Sequence, residues 1–206
     1  MARARMVAGV ADHNGWAVFV CVRAQDGVPE VVDRRRVALI EPGIPSQPYE
    51  HETLGLNTAD AERLVQDVQE SAVHCAERAL SRLQSSVGSL GEIVSIALRK
   101  PPLAQLPRTV AEAHASRPVL MRADAMLYHD ALCKAAASLG IGVVMFERGT
   151  ERSRAAEAVG ITVERLDHFL RGLRAALGPP WQQDHQAAAA RATAALGKDA
   201  GLRLQS

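Results

Sequence analysis

The sequence predicts an α/β fold: a mixed five-stranded sheet, three antiparallel strands followed by two parallel ones, flanked by helices. Three observations carry this reading. β-like runs crowd the first forty residues around tight turns, a sustained helical period begins at Thr58, and beyond it short apolar runs alternate with helical stretches. Strands reached through a helix tend to lie parallel, and helices on both faces are the natural way to bury such a sheet.

In order along the chain, Met6 to Ala11 and Trp16 to Val22 are apolar runs around the polar turn Asp12-His13-Asn14-Gly15. Asn-Gly between apolar runs signals a hairpin, because both residues tolerate positive φ. A third run, Val31 to Ile40, follows the turn at Asp26-Gly27 and completes an antiparallel meander. Residues 41 to 52 hold Pro42, Pro45 and Pro48 and read as a long loop, since proline removes a donor that a central strand or helix needs. From Thr58, Ala61, Leu64, Val65, Val68, Ala72, Cys75, Ala76, Ala79 and Leu83 recur at helical spacing until Gly88. Glu92 to Leu98 reads as a buried strand, and Thr109 with Glu112 has the spacing of a capping box. Asp124 is expected to cap a helix ending at Gly140, followed by a strand over Ile141 to Phe146. The remainder is helical, with Thr162 as one N-cap and a last helix beginning near Gln182 or Gln183.

A chain of 206 residues that is 48% hydrophobic can bury a sizeable core, so residues 1–197 are read as one domain and residues 198–206 as a flexible tail. Aromatic residues make up only 3%, so the core must be built from small aliphatic side chains. The net charge of +1 supplies no global field of the kind a strongly basic nucleic-acid-binding domain has, and any basic surface must be local. Cys21, Cys75 and Cys133 are far apart and read as small hydrophobes rather than ligands. The N-terminus around Arg3 and Arg5 lacks the apolar stretch of a signal peptide, and no run is long enough to span a bilayer, so a cytoplasmic protein without membrane contact is expected. Dinucleotide, P-loop, nucleophile-elbow and zincin motifs are all lacking from the sequence.

The order of elements resembles the ribonuclease H-like superfamily. Met126-Leu-Tyr-His-Asp-Ala-Leu-Cys-Lys-Ala-Ala136, the strand through Val143-Val-Met-Phe146, the helix after Thr162 and the segment Pro179-Pro-Trp-Gln-Gln-Asp-His-Gln-Ala-Ala-Ala189 are most similar to the bacterial Holliday-junction resolvases. The resemblance implies phosphodiester hydrolysis on branched DNA or RNA, a divalent metal (Mg²⁺ or Mn²⁺), and a homodimer, for which exposed apolar positions on the long helix could serve. It places Asp12 at the aspartate of the first strand and Asp184 at the first aspartate of the C-terminal helix. Two further carboxylates of that pattern are missing, because Ile96-Ala-Leu-Arg-Lys100 and Ala187 stand in their places.

Asp12, Asp184 and His185 are therefore the candidate catalytic residues, and Asp12, Asp184, His13, Glu50, His51 and Glu52 the candidate metal ligands. Histidine nitrogen in such a set would suit Mn²⁺ or Zn²⁺ better than Mg²⁺. Arg34, Arg36, Arg99 and Lys100 are the candidate nucleic-acid contacts. Each has a structural alternative: Asp12 as a turn residue, Asp184 as a charge complementing a helix dipole, the Glu50 to Glu52 cluster as a loop anchor, and the arginines as protection of an edge strand. Two functions stay open at this point, a metal-dependent nuclease and a catalytically inactive ribonuclease H-like binding or scaffold protein.

Overall fold

In a computed structural model of the chain, residues 3–200, 202 and 204 are described. The sheet has five strands in the order β3-β2-β1-β4-β5. β1 (Arg5–His13), β2 (Trp16–Gln25) and β3 (Val28–Ala38) form the antiparallel meander, and β4 (Glu92–Arg99) and β5 (Gly142–Phe146) join β1 in parallel. The hairpin turn is Asn14-Gly15, but only Gly15 takes a positive φ, at 81°.

Alternation along β1 divides the core. Met6, Ala8 and Val10 face one layer, made by α1 (Thr58–Val87), α2 (Val110–His114) and α3 (Arg117–Ser138). Val7 and Ala11 face the other, made by α4 (Glu151–Val159), α5 (Val163–Leu177) and α6 (Gln183–Ala200). β1 and β2 are buried along most of their length because helices cover both faces. On the second face α6 contributes Ala188, Ala189, Ala190, Ala192 and Ala194, and these small side chains let the helix lie close to β1. A Cβ added to Gly9 would stand 1.8 Å from the Ala188 carbonyl oxygen.

Two expectations are corrected, the cap at Asp124 and the exposed apolar positions on the long helix. α3 begins at Arg117, with Pro118 in its first turn, so Asp124 lies inside the helix rather than capping it. Its carboxylate instead accepts backbone bonds from Tyr49 (3.0 Å) and Glu50 (3.2 Å) and so pins the proline-rich loop, which forms one π-helical turn over Pro48–Glu52. Of the tail expected over residues 198–206, residues 201, 203, 205 and 206 lie outside the described residues; among the others, α6 continues to Ala200, Leu202 is buried, and the Leu204 amide donates to the Val159 carbonyl. The large hydrophobics exposed among the described residues are Leu54, Leu56, Leu90, Met121 and Met145, none of them on the long helix α1. No helix among the described residues is long and apolar enough to cross a membrane.

Candidate functional site

The end of the sheet where β1 and β4 finish brings most of the candidate residues into one neighbourhood, but not into one ligand set. Asp12 and His13 leave β1 on opposite faces, as the period of two requires. Asp12 turns toward α3, where His129 Nδ1 lies 3.8 Å from its Oδ2, an ion-pair rather than a hydrogen-bond distance. Both side chains are almost completely buried. His13 turns toward α6, and its Nε2 lies 3.2 Å from Asp184 Oδ2, with both groups partly exposed. The two Asp-His dipeptides thus meet through the His13–Asp184 contact, and their aspartates are held apart by different histidines.

Burial raises the Asp12 carboxyl, but His129 and then Arg99 outweigh it and leave the group below the usual carboxylate range. Burial likewise draws His129 down, while Asp12 and then Cys133, one turn further along α3, raise it to about 9. The pair is accordingly ionised at neutral pH. His129 was not singled out in the sequence, where a lone histidine within an apolar helical pattern carries no mark of the strand it will face.

His185, the proposed catalytic histidine, has a structural place. It is buried, its Nδ1 accepts the Gln182 amide at 3.3 Å across the first turn of α6, and its ring tilts against Trp181. Burial and then the nearby Arg34 lower its pKa, consistent with a neutral ring that accepts at Nδ1. Glu50, His51 and Glu52 sit on the loop turn that Asp124 fixes against α3, and His114 Nε2 holds the same turn at the Tyr49 carbonyl, 3.1 Å away. Among the described residues no three His, Cys, Asp or Glu side chains come together in a way that could hold a metal ion. The donor set therefore does not fit the divalent metal: Asp12 faces an imidazolium, Asp184 another histidine, and the cation Arg99 ends β4 where the pattern wants an acid.

The basic candidates separate in the same way. Arg34 is committed to the fold, donating to the Gly178 carbonyl at 2.8 Å and the Leu177 carbonyl at 2.5 Å, which ties β3 to the end of α5. Arg35 pairs with Asp33. Arg36 is exposed and its guanidinium carbon lies 3.9 Å from the centre of the Trp16 ring, whose plane stacks on His13 at 4.0 Å. Lys100 pairs with Glu147 in an exposed contact.

Sheet order, strand directions and the two helical layers define the ribonuclease H-like fold. The solved structure of Thermus thermophilus RuvC is similar to this chain, with a TM-score of 0.51 and 13% sequence identity over 92% of each chain. The structure of T. thermophilus RuvC in complex with Holliday junction substrate is also similar, with a TM-score of 0.48 and 12% identity over 92% of this chain and 91% of that one. At this identity the likeness is one of fold. No protein-family model matches the sequence, and a search of curated proteins gives no match.

Proposed function

We propose that the chain is a ribonuclease H-like protein that binds structured nucleic acid at the end of its sheet and does not cleave it. The observation that carries this is the engagement of the two candidate acids by different histidines on opposite faces of β1, with Arg99 at the end of β4. Two-metal phosphodiester cleavage uses clustered carboxylates to hold cations that activate water and stabilise the leaving oxygen. A carboxylate already neutralised by a protein cation, as Asp12 is by His129, cannot take that part, whereas a cation at a strand end suits a phosphate. Arg36 extends the basic surface, because a guanidinium stacked on Trp16 keeps its N–H edge free for a phosphate oxygen. The Lys100–Glu147 pair is exposed, and such pairs are held weakly enough for Lys100 to exchange partners.

Metal-dependent hydrolysis with Mg²⁺ or Mn²⁺ is the competing reading, favoured by the partly exposed His13–Asp184 pair, whose nitrogen and oxygen donors would suit Mn²⁺. Both are tested by fluorescence anisotropy with a four-way DNA junction and a structured RNA, run beside a cleavage assay in each metal. The junction is the first probe because of the resemblance to resolvases. Binding is expected to persist in EDTA, to weaken several-fold in Arg36→Ala and in Arg99→Ala, and to be accompanied by no cleavage. Cleavage that Asp12→Asn abolishes would establish the metal-dependent reading instead. Failure to bind either nucleic acid would remove both.

A further inference from the structure

The two edges of the sheet are built differently. β3, at one edge, carries Pro29, Glu30, Asp33, Arg34, Arg35 and Arg36, the proline and charges that keep an open edge from pairing with another chain. β5, at the other, reads Gly142-Val-Val-Met-Phe146, without a charge or a proline. Among the described residues it pairs with β4 alone, and its Met145 is 43% exposed.

The ladder shows which backbone groups are left over. The Phe146 carbonyl accepts the Lys100 amide at 2.7 Å, so Phe146 turns its backbone groups toward β4. Successive strand residues turn theirs to opposite sides. Gly142 and Val144 therefore also face β4, and Val143 and Met145 present their N–H and C=O groups to the open edge.

Those four groups are self-complementary. When a second copy lies antiparallel with Val144 opposite its own counterpart, Val143 of each copy faces Met145 of the other as a hydrogen-bonded pair, and four N–H···O=C bonds form. Each exposed Met145 side chain then covers a partly buried Val143 on the α3 side of the sheet, and the two Val144 side chains meet on the other side. The same two-fold axis sets Arg148 opposite Gly140, the residue that follows α3 and its Leu139 cap. Arg148 is exposed and unpaired among the described residues, and the last turn of α3 holds no basic residue. The cation of one copy thus complements the negative helix end of the other.

We propose that β5 is a self-association edge, at which two copies of the chain pair antiparallel through Val143, Val144 and Met145 about a two-fold axis at Val144. The two sheets become one of ten strands. The pairing uses no nucleic acid and none of Arg36, Arg99 and Lys100, so its failure and that of the binding reading are separable.

The experiment is sedimentation velocity from low to high micromolar protein. Wild type is expected to reach a dimer, at twice the 22.1 kDa of the chain, as concentration rises. Met145→Pro removes an N–H that faces only the open edge and leaves the β4 ladder intact, and it is expected to stay monomeric. Met145→Lys, which sets a charge against the apolar pair, should do the same. Leu54→Lys, at an exposed leucine on the loop before α1, should keep the dimer. A cross-link supplies the second readout, since residues of a non-hydrogen-bonded pair stand about 4.5 Å apart at Cα, within reach of a disulfide. Copper phenanthroline is expected to link two copies of Val144→Cys through that residue and to leave wild type, with its partly exposed Cys133, unlinked. If Met145→Pro does not fold, as judged by far-UV circular dichroism, Met145→Lys and the cross-link decide. A wild type that is monomeric at every concentration, a dimer that Met145→Lys leaves intact, or no cross-link in Val144→Cys overturns the proposal.

Discussion

Asp12 and Asp184 stand before identical neighbours in the sequence, and burial gives them different chemistry. Asp184 is partly exposed at the start of α6, where a carboxylate also complements the helix dipole. Asp12 is buried opposite His129, so each depends on the other for its charge. The sign of the pH dependence follows from their displaced titrations. His129 is raised from 6.5 to about 9, so the stability it contributes is fully present below 6.5 and is lost as pH rises through about 9. Asp12 is lowered from 3.8, so its contribution is present above that value and is lost as pH falls through its folded-state pKa. Urea unfolding should therefore show an alkaline decline in wild type that is absent in His129→Leu. At about pH 6 that variant should lose about 3–5 kcal/mol, the usual cost of leaving one member of a buried ion pair alone. Adding Asp12→Asn should restore part of it. A wild-type stability unchanged between about pH 6 and about pH 10 would show that the pair is not ionised.

α6 shows most directly how an element is fixed by residues that look unremarkable in the sequence. Its alanines allow the close approach to β1, and Gly9 supplies the matching gap on the strand. Gly9→Ala would drive a methyl group into the Ala188 carbonyl, and backbone must move to admit it. Overpacking of this kind costs about 1–3 kcal/mol and occasionally more, so a lowered denaturant midpoint is expected, with Gly27→Ala near a loop tip as a poor control only because Gly27 takes a φ of 78°. Gly172→Ala is the better control, since nothing lies within 4 Å of its added Cβ. Element identity was legible because periodicity is local: α1, α5, the meander and β4 follow from spacing and turn residues alone. The start of α3 was misplaced because Asp124 has the chemistry of a cap, and only the tertiary approach of the Tyr49 and Glu50 amides gives its carboxylate another use. The candidate site was half legible for the same reason. The order of elements sets Asp12, Asp184, His13 and Arg99 toward one end of the sheet, whereas His129, Glu151 and Arg191 make contacts between elements that no local pattern records.

At the scale of the whole molecule, a net charge of +1 limits how nucleic acid can be held. Without a global field, attraction acts only within about a Debye length of the basic residues themselves, about 8 Å at physiological ionic strength. Arg34 is spent on backbone carbonyls and Arg35 on Asp33, which leaves Arg36, Arg99 and Lys100 as the candidate phosphate contacts at this end of the sheet. About three contacts on duplex DNA release counterions with a slope of about −3 in log K against log salt, at about −0.9 per phosphate. The titration is done by anisotropy on the junction over a range of salt, with wild type and Arg36→Ala. The variant should reduce the slope by about 1, without the change in sequence preference that loss of a base contact would bring. A wild-type slope steeper than about −6 would require more phosphate contacts than this surface offers. It would move the interface to another face of the molecule.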